Sequence, residues 1–387
     1  MKAASPTCLL LSAILVTTSL LIPSSAAGKE TRIYLGTYGS GPGKGIYTAL
    51  FNMKSGKFSG LELAAESRNP SFLALHPNGR FLYAVGEVDN FGGTNTGAVS
   101  AFRIQKSSGK LTLINQQSSG GTGPCHLAVD RKGLCLLTAN YGSGSIASYA
   151  IAGDGRLSNP VSVIQHQGSS INPSRQKGPH AHYIAPSPAN HEALVCDLGL
   201  DQVLLYDLDA TQATLTPQRP PAINLPPGSG PRHLVFHPKR DWVYVVNELT
   251  STVSTLTREQ GFLVAKESVS TLPDVFNGPN SCAEIQIHPS GQYVYASNRG
   301  HDSVAVFAVN KKTGLLERRG HEATGGKTPR FFGLDSDGRW LLAANQGSDA
   351  VTVFRVDRKT GLPHPTGEAL TVSSPVCLVF ARLPTSS

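Results

Sequence analysis

The sequence has no closely spaced cysteine pair, no run of lysine and arginine, and only one long apolar stretch. Each absence removes a class of protein. Its cysteines are Cys8, Cys125, Cys135, Cys196, Cys282 and Cys377, with no CxxC spacing for zinc. Loss of an N-terminal signal would leave an odd number, which does not fit a disulfide framework. They read as small buried hydrophobes, with a Cys125–Cys135 bridge the one pairing open to an exported chain. The net charge is +8, but the basic residues are dispersed and not interleaved with aromatics, so no nucleic-acid surface is expected. The glycine-rich stretch 39–45 lacks the spacing of a phosphate loop, and no GxSxG elbow is present.

The one long apolar stretch, Leu9 to Ile22, follows Lys2 and precedes the small residues PSSAAG. This is the pattern of a signal peptide, residues 1–27, cleaved after Ala26 or Ala27. The run is short of the roughly 20 residues that a spanning helix needs, and Cys8 precedes it, so neither an anchor nor a lipid-modified cysteine is expected. The mature chain, 28–387, is expected to be periplasmic or secreted, with no membrane association after cleavage.

What the sequence has in quantity is glycine (40) and proline (26), and a repeat. PSFLALHPNGRFLYAVGEVDN starts at Pro70, PCHLAVDRKGLCLLTANYGSG at Pro124 and PHAHYIAPSPANHEALVCDLGLD at Pro179. PRHLVFHPKRDWVYVVNELTS starts at Pro231, CAEIQIHPSGQYVYASNRGHD at Cys282 and PRFFGLDSDGRWLLAANQGSD at Pro329. Each reads as strand, HPxG-type turn, strand, Asn-containing turn, strand, then a fourth strand. Units of four strands at a period of about 50 residues are the mark of an all-β propeller. A seventh start, PVCLVF at Pro375, is incomplete, and RIYLGTY with GIYTALF near the mature N-terminus supplies the strands it lacks. Pairing the termini would close a seven-bladed ring and leave no open edge. Such a ring needs no partner, so a monomer is expected.

The repeat places the residue after each start, and the residue after each Asn turn, on one face around a central channel. The first position holds Ser71, Cys125, His180, Arg232, Ala283, Arg330 and Val376; the second holds Glu87, Tyr141, Leu198, Glu248, Arg299 and Gln346. One sector of the mouth therefore carries His180, Arg232, Glu248, Arg299 and Arg330. Convergent arginines make forked contacts to carboxylate or phosphate. Glu248 among cations stays ionised and suited to accept a proton, and His180 can serve as acid, base or oxyanion donor. His182 and Asn247 carry two readings, a structural one in strand and turn and a substrate-binding one; with Arg330 and Gln346 they complete the expected binding set. HAH (His180 to His182) shows no third metal ligand. His76, His237 and His288 read as turn residues on the opposite face, while His126 and His233 are expected to border the mouth. Neither metal nor organic cofactor is expected.

YLGTYGSGPGKGIY, GPRHLVFHP, VYVVNE, YASNRGHDSVAVF and GGKTPRFFGLD resemble the seven-bladed propeller lactonases, a family that includes the propeller-type bacterial 6-phosphogluconolactonase and the fungal carboxy-muconate cyclase. The resemblance covers nearly the whole mature chain. It implies hydrolysis of an anionic sugar lactone in carbohydrate (glucose) metabolism, with His180, Arg232, Glu248 and Arg299 as the catalytic set. Glu248 would activate water, the two arginines would bind the anion and the oxyanion, and His180 would protonate the leaving alkoxide. The family's named substrate is made in the cytoplasm, whereas this chain carries an export signal. Two alternatives follow: a cycloisomerase or lyase acting on a carboxylated lactone, and a non-catalytic propeller that binds a ligand or protein.

Overall fold

A strand with an unbroken apolar run needs cover on both faces. Trp242–Asn247 (WVYVVN) is such a strand, and its alternate residues divide between two neighbours. Val243 and Val245 pack with Leu194, Cys196 and Val203 of the preceding unit, while Tyr244 and Val246 pack with Val294, Ala296 and Phe307 of the following one. Period-two side-chain alternation thus sends one strand into two separate apolar layers. The same division recurs around the molecule, so the core is a series of layers between adjacent sheets.

The structure, a computed structural model, describes Met1 and residues 30–39, 41 and 44–381. The remainder of the expected signal segment lies outside the described residues. Among the described residues, twenty-eight strands form seven antiparallel four-stranded sheets, six in simple consecutive order and one that joins the last strand to the first three. Blade 1 spans 73–118, blade 2 124–165, blade 3 181–224, blade 4 231–270, blade 5 281–323 and blade 6 329–371. Blade 7 combines Pro375–Ala381 with the three strands of 30–66. The first strands of successive blades contact one another all the way round, so they line the central channel. The expected propeller and its closure by the two termini are both observed. Leu35 pairs with Leu378 and Arg32 with Ala381 across the closing seam.

Consecutive blades are also latched by two repeated polar contacts. The histidines of the HP turns act as expected on the face away from the mouth, but they reach beyond their own turns. His76, His237 and His288 each accept a backbone N–H at Nδ1 and donate from Nε2 to a carbonyl of the next blade, at Gly133, Gly291 and Gly338. Tyr34, Tyr83, Tyr244 and Tyr295 donate to Gly109, Gly155, Gly314 and Gly361 in the same manner. Gly314 has φ +77°, and a Cβ there would lie 2.6 Å from the Trp242 ring, so the latch turn requires glycine.

The possible Cys125–Cys135 bridge is overturned: all five cysteines among the described residues are free and buried. The hairpin register explains this. Cys125 sits where Pro124 pairs with Asn140, while Cys135 lies beyond the Val129–Leu136 pair at the other end. About five residues of strand, roughly 16 Å, separate the two ends. A disulfide tolerates at most about 7 Å between Cα atoms.

Tyr244→Phe keeps the ring and removes only the donor to Gly314. It should lower stability by about 1 kcal/mol. In urea unfolding the midpoint should fall with the slope unchanged.

Candidate active site

In the first hairpin of most blades, the register slips by one residue just after the strand begins. In blade 4, Pro231 pairs with Asn247 and His233 with Val246, so Arg232 has no partner and forms a bulge. A bulge re-aims its extra side chain, here into the channel mouth. Cys125 and Arg330 are the bulged residues of blades 2 and 6. In blade 3 the pairs are Ala181–Asp197 and Tyr183–Cys196, so the bulged residue is His182. The expectation that His180 occupies this position is corrected. His180 stands two residues earlier, half-buried on the rim just before the strand begins.

Glu248 follows the blade 4 strand directly, and its backbone N–H donates to Gly230. Its side chain, 6% exposed, is contacted by three arginines from three different segments. Oε2 lies 3.0 Å from Arg232 Nε and 2.9 Å from Arg299 Nη2, and Oε1 lies 2.8 Å from Arg175 Nη2. Burial alone would raise the Glu248 pKa, but Arg299 and Arg232, reinforced by the Arg175 hydrogen bond, outweigh it and hold the pKa at about 2. The two buried arginines, Arg232 and Arg299, lose stability as cations, whereas for Arg175 burial is outweighed by the hydrogen bonds to Tyr141 and Glu248, which raise the pKa. Burial, then repulsion from Arg299 and Arg330, pushes Arg232 down to about 10 despite Glu248. Burial lowers Arg299 also, although Glu248 opposes the shift. One carboxylate is shared among too many guanidiniums.

The hydrogen bonding shows the same shortage. Arg232 Nη1 donates to the Ala283 carbonyl at 2.7 Å, and Arg299 Nη2 donates to the Cys282 carbonyl at 2.7 Å. The buried Nε–H groups of both residues make no directed hydrogen bond. The ion-pair contact of Arg232 Nε with Glu248 brings the atoms close without aligning the N–H with the oxygen. His180 has the complementary character. Its Nδ1 lies 2.8 Å from the Tyr141 carbonyl, which can only accept, so Nδ1 carries the proton. Its ring lies flat on that of Tyr141, 4.4 Å between centroids. Nε2 of the neutral ring is left as an acceptor.

A model of the family described as "Lactonase, 7-bladed beta-propeller" matches residues 32–380. The chain belongs to this lactonase family. It is 36% identical over 304 residues to a 6-phosphogluconolactonase of Bacillus subtilis, covering 78% of this chain and 84% of that one. To a 6-phosphogluconolactonase of Formosa agariphila it is 37% identical over 301 residues, 76% and 83% of the two chains. The solved structure of a periplasmic gluconolactonase of Pseudomonas aeruginosa superposes with a TM-score of 0.86 at 31% identity, covering 92% of this chain and all of the other.

The mouth of this lactonase-family propeller gathers Arg232, Glu248 and Arg299 in direct contact, with His180 joined to them through Tyr141 and Arg175. Tyr141 supports the His180 ring, and its hydroxyl accepts from Arg175 at 3.1 Å. Arg330 lies on another side of the mouth. It donates to the Tyr38 hydroxyl at 2.9 Å, and Tyr38 in turn donates to Glu87 at 2.8 Å. Ser71 also hydrogen-bonds Glu87. Gln346 is half-buried at the start of a short 3-10 turn on the same face. Asn247 does not reach the mouth: it is fully buried, and its amide donates to Thr252 and Ser254 of its own blade. His182 is buried edge-on to Tyr141 and His233, with Nδ1 unpartnered.

His233 borders the mouth as expected, lining a small cavity with Ser71, Cys125, Arg232 and Arg330, whereas His126 is buried in the ring stack of the channel. His126 is packed between Phe72 and Tyr183, 4.1 Å from each ring centroid, and His233 closes the stack. Burial, with Arg232 nearby, pushes His126 down to about 3 and His233 well below its usual range, so both are neutral. Arg232 can only donate to His233 Nε2, which leaves Nδ1–H directed at Glu284, 2.9 Å away. Among the described residues no three metal-ligating side chains are grouped to hold an ion.

Arg175 and Tyr38 are the site features that the repeat did not single out; it placed Ser71 and Glu87 at the mouth but did not join them into a cluster. Glu87 follows Ser71 by the same interval that separates Glu248 from Arg232, which was the available signal. Arg175 gave none, because it lies in connector 166–180, the longest between blades, which has no counterpart elsewhere in the repeat.

Burial raises the Glu284 carboxyl to about 8, against the pull of Arg232. A carboxyl with a raised folded pKa holds a proton that the unfolded chain has already released, so its contribution is full below about pH 4.5 and lost as pH rises through 8. Stability should therefore decline by a few kcal/mol between pH 5 and pH 8. Glu284→Gln should flatten that decline in pH-dependent urea unfolding.

Proposed function

We propose that this protein hydrolyses a sugar lactone at the channel mouth. In this reading His180 is the general base, Arg232 and Arg299 form the oxyanion site, and Glu248 holds the arginines together. The observation that carries it is the pair of buried Nε–H groups that make no directed hydrogen bond, in the same mouth as an imidazole with a bare Nε2. A neutral lactone carbonyl becomes an oxyanion on attack, and donors placed for that charge lower the barrier.

The sequence reading gave the base role to Glu248. A carboxylate with a pKa of about 2 and an arginine on each oxygen is ionised but a weak proton acceptor. His180 is the better candidate. Its Nε2 takes a proton from water as the water oxygen attacks the lactone carbonyl, and the carbonyl π electrons move onto oxygen. The tetrahedral intermediate then re-forms the carbonyl and breaks the bond to the ring oxygen. Nε2–H gives its proton to that leaving alkoxide, which yields the open hydroxy acid and returns His180 to its starting tautomer. The Tyr141 carbonyl fixes Nδ1–H throughout and orients the ring.

The assay is acid release from a sugar lactone followed at constant pH with the mature protein. His180→Gln should lower kcat by about 10²–10⁴-fold with KM little changed. Glu248→Gln should lower it less while destabilising the fold by about 3–5 kcal/mol, because it removes the carboxylate that several buried cations share. A greater kcat loss in Glu248→Gln than in His180→Gln would return the base role to Glu248.

We also read residues 1–27 as an export signal. The relative described as a periplasmic gluconolactonase supports this, since it shares the fold and 31% of the sequence. Protein recovered from a periplasmic or culture fraction should begin at Ala27 or Gly28 by N-terminal sequencing.

A further inference from the structure

The three arginines around Glu248 are not equivalent. Arg232 and Arg299 belong to the hairpins of blades 4 and 5 and are 3% and 13% exposed, at the floor of the mouth. Arg175 comes from connector 166–180 and is 38% exposed. Its guanidinium crosses blade 3, with the same Nη2 bound to Glu248 of blade 4 and to the Tyr141 hydroxyl of blade 2. It is therefore the member of the trio that solvent reaches most, and it links Tyr141, which carries the His180 ring, to Glu248.

The connector that carries Arg175 is anchored. Gln176, fully buried, donates to the Leu198 carbonyl and to Asp201 Oδ1, both at 2.8 Å. Its side-chain oxygen accepts the Asn172 N–H, and Asn172 Oδ1 in turn accepts the Arg175 N–H at 3.1 Å. Asp201 also receives Ser170 and the Gly228 and Gly230 amides. An arginine presented by so many fixed contacts is placed in advance of binding, which reduces the ordering cost of each hydrogen bond it makes.

Charge arithmetic indicates what it is placed for. Four guanidiniums, Arg175, Arg232, Arg299 and Arg330, face two carboxylates, Glu248 and Glu87, an excess of two positive charges. Hydrolysis of a neutral lactone generates one negative charge in the transition state, and the buried Arg232 and Arg299 are those whose Nε–H groups make no directed hydrogen bond and can receive it. One positive charge is then unmatched, and Arg175 is the exposed member of the trio. We propose that Arg175 is a specificity residue that favours a lactone bearing a second anionic group, a phosphate or a carboxylate, on the part of the molecule directed toward solvent. This rests on the lactonase reading above and narrows its substrate class. Arg175 would release Glu248 Oε1 to take the incoming anion in a forked contact.

The test compares wild type, Arg175→Ala and Arg175→Lys on gluconolactone, its 6-phosphate and the corresponding 6-carboxylate lactone. For Arg175→Ala the loss in kcat/KM on at least one anionic lactone should exceed the loss on gluconolactone by tenfold or more. Arg175→Lys should recover part of it through its point charge. A loss confined to the phosphate or to the carboxylate lactone identifies which group the site takes. Equal losses on all three, or none, would overturn the proposal and leave Arg175 as a support for Glu248 alone. Should wild type open no lactone, the hydrolysis reading fails but this inference can still be judged. Calorimetric titration with gluconate and 6-phosphogluconate should then show tighter binding of the phosphorylated acid to wild type, with the preference lost in Arg175→Ala. No preference in wild type would overturn it.

Discussion

The polar architecture of the mouth depends on Glu248. Removed from water with no negative partner, the guanidiniums of Arg232 and Arg299 would repel each other across a low-dielectric space, at a cost of several kcal/mol for each buried ion. Glu248 makes their coexistence possible, and it does so for three arginines at once. The compensation is incomplete by construction. A carboxylate has two oxygens, and here both are committed while two buried Nε–H groups make no directed hydrogen bond. That residual deficit is a preorganised electrostatic field, present before any substrate arrives.

The scaffold explains how such a deficit can persist. Bulges just after the blade starts turn Arg232 and Arg330 out of the ladder and toward the channel, while the strands that carry them are buried on both faces. Beneath the mouth, the packed rings of Phe72, His126, Tyr183 and His233 close the channel. The plug also contacts the site directly: Glu284 orients His233, and His233 accepts from Arg232. The floor therefore fixes the arginine, and the rim fixes His180 through Tyr141.

The fold was fully legible in the sequence because a propeller writes its architecture as a repeat. The starting residue, turn and Asn turn recur, and the broken last unit names its missing strands. The convergence of Arg232, Glu248 and Arg299 was legible for the same reason, since equivalent positions in consecutive blades must be neighbours. Legibility ended where the repeat was distorted or absent. Alignment on Pro179 put His180 in the bulge. Alignment on the turn, where Ser187 stands for the His237 of blade 4, gives His182, because the interval from bulge to turn is conserved between the two blades. Arg175 lies in a connector that no other blade has, so periodicity could not reach it. The base strength of Glu248 was likewise out of reach, because it is set by how many cations touch the carboxylate.

In the proposed mechanism, the roles of His180 and Glu248 follow from what each side chain already holds. A group can accept a proton in a reaction only if a lone pair is free where the reaction occurs. Glu248 has its lone pairs directed at three cations, and each contact that secures the buried arginines weakens it as a base. His180 makes one hydrogen bond, through the nitrogen that is not needed, to a carbonyl that cannot compete for the other. The proposed mechanism thus divides structural and chemical duties between residues, and the division follows their burial. The nearly enclosed carboxylate balances charge, and the half-exposed imidazole is the one that water and substrate can reach.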